Sequence, residues 1–481
     1  MADLERCDIK IAGGVVIDGT GAARVRADVA ITDDRITAVG DLARVDAGRT
    51  IDAADRIVAP GFVDVHTHDD RALLSKPTMD MKVSQGVTSV VVGNCGISLA
   101  PLIMQHRPPP LDLLGTEEWW RFGTFEAFLS AVDDAPASLN AAFLVGHSTL
   151  RVGAMGDVYR PADAGEIKAM RGTLEASLDS GAVGLSTGLF YAPASQAPTE
   201  EVIEIARGLK AHGGLYVTHM RDEADAVLDS LEETFLIGRE AGVPVVVSHH
   251  KVTGKKNFGR SKETLALFER YRTSQKIGLD VYPYHASSTV LKADSIAVSN
   301  RVLVTWSVPH PEHKGRDLAD IAAEWGIDPY AAAERLQPAG AIYFSMDEAD
   351  VRRILSYPEA MFGSDGLPHD EFPHPRLWGT FPRILGHYAR DVGLFPLEEA
   401  VRRMTSISAK QFGLVDRGVI APGTFADLCV FDPDTIIDSA SFDDPMTPAA
   451  GIEHVLVNGR EVWNQAGSTG ERPGRALRHG G

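Results

Sequence analysis

The chain has 481 residues, 44% hydrophobic and 23% charged, a composition that suits a large globular core with an accessory module. Its formal net charge of −19 disfavours a nucleic-acid backbone as partner. Cys7, Cys95 and Cys429 are odd in number and far apart, which argues against a disulfide framework and for a reducing, cytoplasmic setting.

The start, Met1 to Arg6, has neither a basic nor an apolar signal region, and no later segment runs to about 18 apolar residues. Neither export nor a membrane span is expected. Residues 8 to 58 alternate apolar and polar positions between Gly and Asp turns, as in Ile9-Lys10-Ile11-Ala12-Gly13-Gly14-Val15, which reads as small antiparallel sheets. The stretch from Gly423 to Arg460 repeats that pattern, so both ends are expected to build one small β-sandwich, residues 1–58 plus 415–481. The tail after Gly467 is rich in Gly and Arg and is expected to be disordered or loosely docked.

Between residues 59 and 414, strand-like runs alternate with helical patterns such as Ile167, Met170, Leu174 and Leu178. Eight candidate strands end near His68, Cys95, His147, Thr187, His219, His249, Tyr282 and Asp365. The fold class is therefore α/β, a closed (β/α)₈ TIM-type barrel, in which groups at several strand ends gather at one face. The long gap before the eighth strand places an inserted subdomain at 285–345, a lid over the mouth. Within it Val308-Pro309-His310-Pro311-Glu312-His313 reads as a surface loop rather than a metal site.

His66 and His68 end the apolar run Gly61-Phe62-Val63-Asp64-Val65, and a strand would put them on one face. With Cys95, His219, His249 and Asp365 they offer more imidazole, thiolate and carboxylate ligands than one tetrahedral ion can use. Two neighbouring metal positions are expected, with Cys95 as a thiolate bridge. Such an ion lowers the pKa of water from 15.7 toward roughly 7 and polarises a carbonyl, while Asp365 can take the proton and return it to a leaving amine. The chemistry indicated is hydrolysis of a C–N bond.

Lys251, two residues beyond His249, and Arg376, just past Asp365, are candidate anchors for a substrate carboxylate. His147, His212, His369 and His374 read as packing or surface residues, and Trp119-Trp120 as packing. The Gly181 to Gly188 stretch fits no dinucleotide or phosphate-loop spacing, so no nucleotide cofactor is expected.

Taken together, Ala59-Pro60-Gly61-Phe62-Val63-Asp64-Val65-His66-Thr67-His68 and Ala421-Pro422-Gly423-Thr424-Phe425-Ala426-Asp427-Leu428 resemble the metal-dependent amidohydrolase superfamily. Gly93-Asn94-Cys95-Gly96, Ser248-His249-His250-Lys251, Gly363-Ser364-Asp365-Gly366 and His374-Pro375-Arg376 resemble its N-acyl-D-amino-acid deacylase (D-aminoacylase) group across nearly the whole chain. The resemblance implies release of a free D-amino acid from its N-acyl form. It implies a tight zinc on Cys95, His219 and His249 and a weaker second position around His66, His68 and Asp365, with Asp365 as general acid/base. It also implies that Tyr191, Lys251, Ser288 and Arg376 hold the substrate carboxylate or orient its amide; D stereochemistry comes from the resemblance alone.

Where many superfamily relatives carry a modified lysine bridging two metals, the fourth strand here reads Leu185-Ser186-Thr187-Gly188, so Cys95 takes that place. This departure speaks against dihydroorotase and hydantoinase. The competing readings are a deacylase specific for N-acyl-D-glutamate or N-acyl-D-aspartate, a cyclic-amide hydrolase or deaminase, and a silent scaffold. The expected partner is a small molecule, with neither nucleic acid nor membrane, and the chain is expected to be a monomer.

Overall fold

The computed structural model describes residues 4–104 and 108–480. Eight strands form the barrel: Phe62–Asp64 (β1), Val87–Val92 (β2), Asn140–Gly146 (β3), Gly184–Gly188 (β4), Leu215–His219 (β5), Val245–Val247 (β6), Ile277–Val281 (β7) and Ala360–Phe362 (β8). Each pairs in parallel with the next. The ring closes just beyond the first and last strands, where Thr67 bridges Gly366 and the Asp365 amide donates to the His66 carbonyl at 2.8 Å.

Strand β2 is buried along its whole length, as a parallel strand covered on both faces must be. Alternate residues separate into two cores. Val63, Val91, Leu144, Val217, Val246 and Met361 cluster inside the barrel, plugged by Ala409, Phe412 and Leu414. Val90, Val92, Phe143, Val145, Tyr216 and Val247 belong to the cluster that includes the helices. The helix Ala164–Asp179 illustrates the local logic. Asp163 and Glu166 form a reciprocal capping box at its start, and Met170, Leu174 and Leu178 give it one buried stripe.

Strands from both ends of the chain make the second unit. A four-stranded sheet runs in the order Arg35–Gly40, Asp28–Thr32, Arg6–Ala12, Asp46–Asp52. A seven-stranded sheet includes Ile57–Pro60 beside Leu428–Phe431. Between them lie Ile11, Val29, Ile31, Val58, Leu428 and Val430. The expectation of purely antiparallel pairing needs correction. Arg6–Ala12 runs parallel to Asp46–Asp52, and Val15–Val16 parallel to Ile57–Val58. In each case the chain makes an intervening excursion before it returns alongside itself, and such a return restores the original direction.

The tail is also better ordered than its composition suggests. Ala476–Leu477 pairs with Ala141 and Ala142 of β3, the Gly474 amide donates to the Ala137 carbonyl at 2.9 Å, and the Asn458 side chain holds the Pro473 carbonyl. Backbone groups at the entering end of β3 need partners, and the tail supplies them.

Residues 285–345 form a small layer of their own. Ser287–Val290 and Val302–Ser307 flank Ala339–Tyr343 in an antiparallel sheet, packed on the helices Leu318–Trp325 and Pro329–Leu336 through Val304, Ile321, Leu336 and Ala341. Among the described residues, no helix is long and apolar enough to cross a membrane.

Candidate metal centre

All six ligand-type residues converge at the end of the barrel where β1, β2, β5, β6 and β8 finish, and all are buried. Only His219 lies within its strand. His66 and His68 follow β1 by two and four residues, Cys95 follows β2 by three, His249 follows β6 by two and Asp365 follows β8 by three. His66 and His68 flank Thr67, which still bridges Gly366 and donates its amide to the Val91 carbonyl at 3.1 Å, and both rings face Asp365. Regular pairing stops at Asp64, which turns to Lys82 and the Ser364 amide instead.

Cys95, His249 and Asp365 adopt left-handed backbone conformations, with φ of 53°, 35° and 49°. Such positions cost roughly 1–3 kcal/mol each and persist where the surroundings fix them. Here the Asp280 carboxylate takes the His249 amide at 2.8 Å, and the His66 carbonyl takes the Asp365 amide. Beneath Cys95, a Cβ on Gly188 would stand 2.2 Å from the Cys95 carbonyl oxygen, so β4 must end in glycine for the thiol loop to cross it.

Cys95 Sγ is 3.3 Å from His66 Nε2 and 3.5 Å from His249 Nε2, which lies 3.0 Å from His219 Nδ1. Asp365 Oδ1 is 3.5 Å from His66 Nε2 and 3.3 Å from His68 Nε2. Zinc bonds of about 2.0–2.3 Å in a tetrahedron hold ligand atoms about 3.3–3.6 Å apart, so the donor set fits a divalent ion in both groups, with Cys95 common to them.

Electrostatics agree. Burial by itself raises the Cys95 thiol, but His66 and His249 beside it, with hydrogen bonds from His219 and His249, hold it well below its ordinary range. Burial likewise opposes ionisation of Asp365, and Arg376, His249 and His66 overcome it, keeping the carboxylate charged. Against burial, which would lower it, His66 is raised well above the usual imidazole range by Asp280, Cys95 and Asp365. The site attracts positive charge.

Three residues that sequence reasoning missed orient this set. Asp280 accepts from His249 N and lies 3.3 Å from His66 Nδ1. Glu223 Oε1 stands 3.1 Å from His249 Nδ1, and its other oxygen 3.7 Å from His219 Nε2. Lys82, fully buried, joins Asp64 and Ser364 at 2.7 Å each, tying the β1 and β8 ends together. A carboxylate behind a ligating histidine fixes its tautomer. Asp280 left one signal, a charge inside the apolar run Ile277-Gly278-Leu279-Asp280-Val281.

Three of the four candidate substrate contacts, Tyr191, Lys251 and Ser288, line a cavity of about 420 Å³ together with His219, His249 and Asp365, while Arg376 stands behind Asp365, off the lining. Lys251 pairs with Glu223 at 2.8 Å. Arg376, fully buried, pairs with Asp365 at 2.8 Å, donates to the Ser288 carbonyl at 3.1 Å and stacks over Tyr282. Both cations are thus partnered within the protein. Tyr191 Oη bonds Thr289 at 3.0 Å, and Ser288 Oγ is buried with no protein partner. A larger cavity of about 880 Å³ on the sandwich is lined without histidine or cysteine.

Three of the four histidines read as packing or surface residues have protein partners: His147 meets Glu201, His212 meets Asp179, and His374 accepts from the Arg376 amide, whereas His369 Nε2 is buried without one. His310, Glu312 and His313 also approach one another, but the Arg316 guanidinium faces His313 Nδ1 at 3.0 Å. A guanidinium only donates, so the His313 Nδ1 lone pair is already taken by Arg316.

The amidohydrolase family model matches residues 49–290 and 289–463. The D-aminoacylase of Alcaligenes xylosoxydans xylosoxydans is 55% identical over 476 residues, covering 99% of this chain and 98% of that protein. A D-aminoacylase structure described through its binuclear metal centre, with one-metal activation and second-metal attenuation, is 57% identical at a TM-score of 0.97, covering 98% of this chain and 100% of that one. The N-acyl-D-glutamate deacylase of Bordetella bronchiseptica, complexed with zinc and a phosphonate mimic of the tetrahedral intermediate, is 48% identical at a TM-score of 0.95, with 98% and 100% covered. With the family model matching most of the chain and with sequence and fold alike at this level over its whole length, the chain belongs to the amidohydrolase family, in its D-aminoacylase group.

Proposed function

We propose that the chain is a zinc-dependent N-acyl-D-amino-acid deacylase, hydrolysing the amide to a carboxylate and a free D-amino acid. The observation that carries the reading is the meeting of six side chains of metal-ligand type with Lys251 and Arg376 at one buried strand-end site. Cys95, His219 and His249 would hold the tight zinc, and His66, His68 and Asp365 with shared Cys95 a weaker second position. When bound, zinc supplies Lewis acidity toward the amide carbonyl and toward water.

The chain's own residues do the rest. Asp365, kept ionised by its cationic neighbours, accepts a proton from the attacking water and delivers it to the departing nitrogen. Lys251 and Arg376 bind the α-carboxylate, and Tyr191 and Ser288 orient the amide. The 285–345 insertion acts as a lid on the 59–414 barrel. The sandwich of 1–58 with 415–481 is the support, the handover falling in the strand Ile57–Pro60. We place the enzyme in the cytoplasm as a monomer, in keeping with three buried free cysteines.

The test is zinc content together with amino-acid release from N-acetyl-D-methionine and N-acetyl-L-methionine. Zinc with D-selective release is expected. Zinc without release from either enantiomer would overturn the deacylase reading.

A further inference from the structure

Ser186 lies in β4 beside Gly146 of β3 and Val217 of β5, and Val217 belongs to the core inside the barrel, so the Ser186 side chain takes the inner face as well. Fully buried there, its hydroxyl meets the loop Gly93-Asn94-Cys95-Gly96, which leaves β2 and runs over β3 to β4. Ser186 Oγ donates to the Gly93 carbonyl and accepts from the Gly96 amide at 3.0 Å. One hydroxyl therefore joins the residues on either side of Asn94 and Cys95.

The loop needs such a fastening. Gly93, Cys95 and Gly96 all have positive φ, at 81°, 53° and 76°. A Cβ on Gly93 would stand 2.2 Å from the Leu144 carbonyl oxygen, so the backbone is pressed against β3. The Gly93 amide donates to Asp70 at 3.1 Å, and the Gly96 carbonyl takes the Ser148 amide at 2.9 Å in the first turn of the helix His147–Ala154. Among the described residues, it is Ser186 that serves the two groups left over, the Gly93 carbonyl and the Gly96 amide. What the loop carries is the thiol 3.3 Å from His66 Nε2 and 3.5 Å from His249 Nε2. A zinc–sulfur bond of about 2.3 Å tolerates displacements of only about 0.2 Å, so the loop must hold its place to that precision.

We propose that Ser186 is a positioning residue that fixes the Cys95 thiolate for zinc by holding both ends of its loop. The inference rests on the zinc reading of Cys95 and adds to it a residue outside the ligand set and off the lining of the substrate cavity. The single hydrogen of the hydroxyl goes to the Gly93 carbonyl, so Ser186 acts through the loop backbone.

The experiment compares wild type with Ser186→Val and Ser186→Thr, two β-branched side chains of like shape of which only the second keeps a hydroxyl, with melting temperature as the check on folding. Zinc retained per chain is read against a graded chelator series, the thiolate-to-metal charge-transfer absorption of the cobalt-substituted enzyme reports the sulfur–metal bond, and kcat and KM are taken with N-acetyl-D-methionine. Ser186→Val should lose about 10- to 100-fold in zinc affinity and weaken the charge-transfer band, with KM at saturating zinc within about threefold of wild type, and Ser186→Thr should recover most of the loss. A folded Ser186→Val protein with wild-type zinc affinity and an unchanged band would overturn the proposal even if it melts earlier, and so would equal losses in the two variants. Ser186→Ala, smaller than either, carries the same comparison against wild type should the branched pair not fold. Wild type that holds no zinc removes this proposal and the deacylase reading together; zinc-bound, D-selective wild type beside an unaffected Ser186→Val removes the positioning role alone.

Discussion

Replacing Asp280 by Asn changes one buried carboxylate into an amide of the same shape. Asp280 Oδ1 takes the His249 amide at 2.8 Å, while His66 Nδ1 lies between the two oxygens, 3.3 Å from Oδ1 and 3.4 Å from Oδ2. An asparagine turned so that its oxygen keeps the His249 amide puts its NH₂ in the Oδ2 position beside His66, and the opposite turn puts the NH₂ against the His249 amide. If the NH₂ faces His66, Nδ1 must accept, the proton moves to Nε2, and the nitrogen beside Cys95 and Asp365 can no longer ligate. If it faces His249, two donors meet at a backbone already in a left-handed conformation. Leaving a buried donor unpaired costs about 1–3 kcal/mol, matching the roughly 10- to 100-fold fall in metal affinity typical of such outer partners. The assay is zinc retained per chain against a graded chelator series, with a thermal melt alongside. The loss should fall mainly on the ion that uses His66. A folded Asp280→Asn protein with wild-type zinc affinity would refute the argument that Asp280 sets the His66 tautomer.

Cys95→Ala should lose zinc and turnover together, because the thiolate is common to both ligand groups, whereas Asp365→Ala should keep the tight zinc and lose at least ~100-fold in kcat; metal analysis and steady-state kinetics separate the two. Arg376→Met should raise KM and, since Arg376 helps hold the Asp365 carboxyl below its usual range, move the acidic limb of the kcat profile to higher pH. A variant with unchanged KM and pH profile would make Arg376 purely structural. Glu201 is lowered from 4.5 to about 2: burial opposes ionisation, but His147, Arg151 and the Ala162 amide outweigh it. A depressed folded-state value stabilises the protein above pH 4.5 and loses that contribution as pH falls toward 2. Glu201→Gln should therefore flatten the fall of melting temperature with pH in that window, and parallel curves would contradict it.

Much of the site is legible in the sequence because its residue types are rare in the pattern that carries them. Histidine, cysteine or aspartate closing a Val-rich run, repeated along the chain, has few explanations other than a shared centre. Eight strands are countable for the same reason, since parallel barrel strands are apolar on both faces and stand out between helical periods. Glu223 is not legible, being one acidic residue in the polar stretch Arg221-Asp222-Glu223, and only the return of the chain after β5 puts it behind His219 and His249. Lys82 is equally silent. A lysine in a short helix reads as solvent-facing until β1 and β8 bring Asp64 and Ser364 to it. The tail departs from its expected disorder because composition reports what a segment can bury but not which unpaired backbone awaits it.

The sequence by itself named the candidate ligands and the alternation that makes a barrel, because side-chain chemistry and backbone period are local properties. Only the tertiary structure decided that Cys95, His249 and Asp365 sit on left-handed turns past the strands and that Asp280 and Glu223 stand behind the histidines. Those arrangements depend on distances between residues far apart in the chain, and such distances exist only once the barrel has closed.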